Sequence, residues 1–132
     1  MIVLDTHVLI WWINGERTEL SSEAAAAIER ERHGGEILVS SITAWEISML
    51  VQRGRIALPC DLSEWLSVVD EIEAVRFIPV DNEISVKATE LPGEFHKDPA
   101  DRFIVATARK WMAPIVTADE KIRAYSHVRT IW

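Results

Sequence analysis

Five carboxylates sit where their segments otherwise read as apolar or as the start of a structural element: Asp5, Glu46, Asp98, Asp101 and Asp119. Asp5 follows the apolar run Ile2-Val3-Leu4. Glu46 interrupts the stretch from Ile42 to Val51, and Asp98 and Asp101 open the stretch that continues to Ala108. Asp119 comes just after Pro114-Ile115-Val116-Thr117. Carboxylates that converge in space bind hard divalent cations through oxygen. Such cations hydrolyse phosphodiesters by activating water and polarising the phosphate.

Each acid also has a plainer reading. Asp5 fits an end-of-strand turn, and Glu46 fits a salt bridge, for instance to Arg53. Asp98 before Pro99 is a common helix start, with Asp at the N-cap and Pro at the first helical position. Asp101 then lies in the first turn, where the helix dipole favours it, three residues from Asp98 and able to face the same side. Asp119 reads as another N-cap, and Thr117 can hydrogen-bond a neighbouring carboxylate and orient it. Other chemistries lack their residues. His7, His33, His96 and His127 show no zinc spacing, and Cys60 is alone. No Gly-rich phosphate loop and no Ser-His-Asp elbow is present.

The elements that must position these acids follow from apolar patterning. Strands are expected at residues 2–5, 37–39, 77–80, 115–117 and 128–131. Helices are expected at 6–13, 23–32 and 62–74, and at 82–90, 98–112 and 119–125. A further helix carries Glu46 to about Arg53, with Ser41 or Thr43 able to cap it. Residues 55–60 read as a short extended piece and 91–97 as a loop. Short apolar strands alternating with helices predict an α/β fold, a parallel sheet of four to five strands covered on both faces. In such sheets the ligand site lies beyond the C-terminal strand ends. Asp5 and Asp119 follow strands, and Glu46, Asp98 and Asp101 are assigned to first turns of helices. All five therefore fall on one edge.

The chain of 132 residues is read as a single domain, 1–132, and its 48% apolar content supports a real core. The lone cysteine excludes an internal disulfide, and the sequence shows neither a signal peptide nor an apolar run long enough to span a bilayer. A soluble cytoplasmic protein is expected. The formal net charge of −7 is unlike that of a simple nucleic-acid binder and suits a basic partner protein better. Six tryptophans exceed what a core of this size needs, so some belong in a groove or interface.

Three stretches together resemble a known family: Leu4-Asp5-Thr6-His7, Ser40 through Ile47, and Leu91 through Ala108 with its Asp98-Pro99-Ala100-Asp101-Arg102. Ile115-Val116-Thr117-Ala118-Asp119 closes the pattern. Over essentially its full length the chain resembles the PIN-domain ribonucleases, specifically VapC-type toxins of bacterial toxin–antitoxin systems. The resemblance implies a three-layer α/β/α sandwich around a parallel sheet. It implies a Mg²⁺ or Mn²⁺ site at Asp5, Glu46, Asp101 and Asp119, with Asp98 adjacent and Thr6 and Thr117 in support. It further implies RNA as substrate, a homodimer, and an antitoxin whose C-terminal segment lies over the site. Arg102 is then a candidate for flanking phosphates, and Trp11, Trp12, Trp45 and Trp65 for antitoxin contacts. Two other readings remain: an acidic module that grips a basic partner, and an Asp-dependent phosphatase. The phosphatase usually wants a second Asp two residues after the first, where this chain has His7.

Overall fold

A computed structural model describes residues 1–132. Five strands form one sheet: β1 (Ile2–Leu4), β2 (Ile37–Ser40), β3 (Val75–Ile78), β4 (Ile115–Val116) and β5 (Thr130–Ile131). Their order is β3-β2-β1-β4-β5, and every pairing is parallel. Seven helices connect and cover them: α1 (Thr6–Ile13), α2 (Ser22–Arg32), α3 (Ile42–Gln52), α4 (Leu62–Asp70), α5 (Asn82–Thr89), α6 (Pro99–Trp111) and α7 (Glu120–Arg123). The chain builds outward from β1 to β2 to β3, then returns across β1 to add β4 and β5. The order of winding therefore reverses between β1 and β4, where open α/β sheets form their crevice.

The strands are apolar on both sides because helices lie on both sides. Ile2, Leu4, Ile37, Val39 and Val116 pack one way, against Val8 and Leu9 of α1, Ala24, Ala27 and Ile28 of α2, and Trp65 and Val69 of α4. Val3, Leu38 and Ile115 pack the other way, against Ile104, Val105 and Ala108 of α6 and Ile122 of α7. Alternate side chains along one strand thus enter opposite layers, and the expected α/β/α sandwich results. Ile84 and Ala88 of α5 close onto Ala106 of α6 in a smaller cluster.

Several boundaries differ from the sequence reading. β3 lies two residues earlier than expected. Pro79 has no N–H to give to the ladder, so pairing stops at Ile78 and begins at Val75 opposite Ile37. The helix expected over 62–74 stops at Asp70, and the last helix is only Glu120–Arg123. The 55–60 piece joins no strand. A single 3-10 turn at Arg17–Glu19 follows α1. Neither Ser41 nor Thr43 caps α3: Ser41 takes the N-cap position with no side-chain bond. Ser40 Oγ instead accepts from the Ile42 N–H at 3.2 Å, and Thr43 is fully buried. Helix α6 ends at Met112, which adopts a left-handed φ of 53°.

Trp65 is core rather than surface, 2% exposed, whereas Trp45 is half exposed and Trp11 and Trp12 are half-buried. The Trp65 indole N–H donates to Asn14 Oδ1 at 3.0 Å, tying α4 to the end of α1. Trp65→Phe removes that donor and leaves a part-buried carboxamide without its partner. It should cost about 1–3 kcal/mol, seen as a lower urea midpoint with an unchanged slope.

Candidate active site

Asp5 sits directly after the central strand and caps α1. Its Oδ1 accepts from the Thr6 N–H at 2.8 Å. Its Oδ2 accepts from the Thr117 hydroxyl at 2.6 Å, across the β1–β4 junction. Only 8% exposed, its carboxyl is raised above the ordinary range because burial outweighs the bonds from Thr117 and Thr6. The Thr117 hydroxyl oxygen also accepts from the Asp119 N–H at 3.0 Å. One buried threonine thus joins the ends of two adjacent strands and two acids.

Glu46 lies in the second turn of α3, one turn further along than expected. Its Oε1 accepts from the Thr6 hydroxyl at 2.5 Å, and Thr6 Oγ1 lies 3.1 Å from Thr43 Oγ1. No arginine pairs with it, so the salt-bridge reading with Arg53 is set aside. Burial raises its carboxyl, Thr6 opposes that, and Asp5 and Asp98 add to it. Asp98 does cap α6, accepting from the Asp101 N–H at 3.1 Å. Asp119 caps α7, its Oδ1 accepting from the Lys121 and Ile122 N–H groups at 2.8 and 3.0 Å.

Asp101 is where the set meets. Its carboxyl is pushed up to about 8, first by burial and then by the negative charges of Asp5, Asp98, Asp119 and Glu46. All four other acids therefore act on this one. None of the five is paired with a lysine or arginine; His7 acts weakly on Asp5 and Glu46, and His96 Nε2 lies 3.0 Å from Asp101 Oδ2. That ring atom makes no hydrogen bond, so the contact is one of proximity without bond direction. His96 Nδ1 accepts from the Asp98 N–H at 3.4 Å, which holds the ring across the mouth of α6.

The acids share an edge and an electrostatic neighbourhood but do not close on a point. No three His, Cys, Asp or Glu side chains stand at metal-ligand spacing. Asp5, Asp98 and Asp119 are each held to a helix start by their own cap bonds. The donor chemistry nevertheless suits a hard cation. The set is all carboxylate oxygen, with no basic side chain neutralising it. Asp98 Oδ2, Asp119 Oδ2 and Glu46 Oε2 take no protein hydrogen bond.

Two residues of the site escaped the sequence reading. His96 had only its place two residues before Asp98 to signal it. Thr43 read as a cap, and its contact with Thr6 depends on how α1 meets α3. Arg102, expected at the phosphates, faces inward instead. Its Nε donates to Ala88 O at 2.8 Å, and its NH1 to Phe95 O and His96 O at 3.0 and 3.2 Å. It fastens the 91–97 loop and the end of α5 to α6, and so fixes where His96 stands.

Comparison with known proteins places this geometry. The PIN domain family matches residues 2–128. Ribonuclease VapC22 of Mycobacterium tuberculosis is 36% identical over 133 aligned residues, covering 99% of this chain and 98% of that protein. Two solved structures share the fold. VapBC2 of Rickettsia felis, bound to a promoter DNA fragment, aligns with a TM-score of 0.68 at 19% identity, over 98% of this chain and 97% of that one. DNA-bound VapBC of Salmonella typhimurium aligns with a TM-score of 0.66 at 18% identity, over 98% and 95%.

The raised Asp101 carboxyl has a consequence for stability. Its value moves from 3.8 to about 8 in the folded chain. Folded protein then holds a proton that the unfolded chain has released. The linked stability is full below about pH 4 and is lost as pH rises through about 8. Metal-free protein should melt at a lower temperature at pH 8.5 than at pH 6, and Asp101→Asn should shrink that difference. Thermal melts of both proteins across this range, in chelator, check it; an unchanged pH slope in the variant contradicts it.

Proposed function

The chain belongs to the PIN domain family, and from that premise we propose that it is a metal-dependent endoribonuclease, the toxin of a toxin–antitoxin pair. The observation that carries the reading is the Thr117 hydroxyl, which donates to Asp5 and accepts from the Asp119 N–H at the β1–β4 switch point, beside Glu46, Asp98 and Asp101. Asp5, Glu46, Asp101 and Asp119 are the proposed cation holders, with Asp98 as helix cap and neighbour. Mg²⁺ or Mn²⁺ suits such oxygen donors. Bound there, the ion would lower the pKa of a water and polarise the scissile phosphate.

The chain's own residues set the geometry for that chemistry. Thr117 and the Thr6 N–H hold both oxygens of Asp5, so this carboxylate has one orientation. The Thr6 hydroxyl fixes one oxygen of Glu46 and leaves the other free. The carboxylate oxygens of Glu46, Asp98, Asp101 and Asp119 without protein hydrogen bonds are available acceptors for a proton from attacking water. An anionic RNA is repelled by the uncompensated acids, so cation binding governs substrate affinity as well as turnover.

The same reading takes the whole chain as one unit, a homodimer in the cytoplasm, with a cognate antitoxin as its protein partner. VapBC complexes, the form in which the structural relatives were solved, support the antitoxin. No helix is long and apolar enough to cross a membrane.

Purified protein should cleave single-stranded RNA with Mg²⁺ or Mn²⁺ and stop on addition of EDTA. Asp5→Asn and Asp101→Asn should each abolish cleavage while retaining the native circular dichroism; full activity in both would sink the assignment. Thr117→Val removes the hydroxyl that positions Asp5. It should lower activity or metal affinity by roughly 10–100-fold, measured as cleavage rate against metal concentration.

A further inference from the structure

Two surface depressions of this molecule run into one another. The first lies between the 91–97 loop and the segment after α7, with His96 and Lys121 at its rim. The second lies beside the C-terminal end of α6, between Arg109 and Arg129. Ser126 and His127 line both, so the two depressions adjoin along this pair and together make up a groove. Its near end touches the acids. His96 Nε2 is 3.0 Å from Asp101 Oδ2, and the Lys121 N–H binds Asp119 Oδ1 at 2.8 Å.

The groove's charge is opposite to that of the chain. The sequence holds 21 acidic against 14 basic residues. Yet Lys121, Arg109 and Arg129 line the groove with exposed His127, against the single acid Glu94. Acids are plentiful, but none of the three cations is in an ion pair; those of Arg32, Arg76 and Lys110 lie elsewhere. Backbone carbonyls hold the two guanidinium groups in place. Arg109 NH1 donates to His127 O at 2.5 Å, and Arg129 NH2 to Met112 O at 3.4 Å. A guanidinium has five N–H donors, so each keeps several for an anion.

We propose that this groove is the track for single-stranded RNA flanking the scissile phosphate, with Lys121, Arg109 and Arg129 on its phosphates. The proposal rests on the nuclease reading and adds the direction the strand takes. A row of fixed cations leading to an acidic centre meets what an anionic polymer requires. The strand is drawn in by the cations and reaches the acids only at the bond to be cut. Single strands are bound in this way, by a basic groove along the backbone with exposed rings available to the bases. The exposed His127 imidazole supplies such a ring.

The test uses an Asp5→Asn background, so that RNA is bound without being cut. Arg109→Gln/Arg129→Gln keeps amide donors for the two carbonyls and removes both charges. Its Kd for a 5′-labelled single-stranded RNA of about 20 nucleotides, a length chosen to cover both depressions at OB-fold-like site sizes, is read by fluorescence anisotropy. Binding should weaken about tenfold, and the slope of log K against log salt should shrink by about 1.4, two single-strand phosphates at about 0.7 each. Arg53→Gln/Arg55→Gln, with the same charge change outside the groove, should bind within about twofold of the parent. Equal affinity and salt slope for the groove variant and the parent overturns the track, and leaves the groove to another occupant such as an acidic peptide. Equal weakening by both double variants also overturns it, since net charge alone would then explain the loss. Failure of the nuclease reading is separate and shows as no metal-dependent cleavage by the native chain.

Discussion

The bond from the Thr117 hydroxyl to Asp5 is the constraint on which the site depends. It spans the one place in the sheet where winding reverses, between β1 and β4. Parallel strands at such a junction diverge into helices on opposite faces, which opens a crevice. α1 leaves β1 toward the layer holding Val8 and Leu9, and α7 follows β4 toward the layer holding Ile122. The Leu4–Val116 pairing holds the two strand ends at ladder spacing. Thr117 adds a side-chain link to that pairing, and because it also accepts from the Asp119 N–H, it ties together two acids from opposite ends of the chain. The backbone bond from the Asp5 N–H to Val116 O, at 3.1 Å, closes the same junction from the sheet side.

Around that junction the molecule holds negative charges that oppose one another. Burial disfavours the ionised form of Asp5, Glu46 and Asp101, and the neighbouring acids add repulsion. Hydrogen bonds from Thr6 and Thr117 stabilise the charged forms without neutralising them. A structural ion-pair network would place Lys or Arg among the acids, and here the one arginine in reach, Arg102, turns to the carbonyls of Ala88, Phe95 and His96. The fold therefore keeps the acids in place and leaves their charge for something that binds. Perturbed carboxyls of this kind gather at functional sites.

Much of this was legible in the sequence, for identifiable reasons. Ile2-Val3-Leu4 and Ile37-Leu38-Val39 are too short for buried helices and apolar on both sides, so a parallel sheet covered on two faces follows. Asp98-Pro99 and Asp119 are cap signals, and the structure shows both as caps. What the sequence could not carry was contact across the fold. The bonds of Thr6 with Glu46 and Thr43 join residues about forty apart, and no local pattern encodes how α1 meets α3. Trp65 reads as either a core residue or an antitoxin contact, because a tryptophan on an amphipathic helix fits both. Only the Asn14 carboxamide, 51 residues away, shows why it is buried. Pro79 reads as part of a strand and in fact ends it.

The net charge of −7 argued against a nucleic-acid substrate when taken as a sum. Its distribution argues otherwise. The acids of the site account for five of the negatives and lie on one edge, and most of the rest are solvent-exposed residues such as Glu23, Glu29, Glu64 and Glu83. The unpaired Lys121, Arg109 and Arg129 line a groove beside that edge. Interactions between exposed charges fade beyond about 8–10 Å at physiological salt, so a substrate responds to the local field and not to the total. An anion approaching along the groove meets Arg129, Arg109 and Lys121 before it meets Asp119 and Asp101. The ordering of charge along that path, and not its total, decides whether a polyanion can reach the acids.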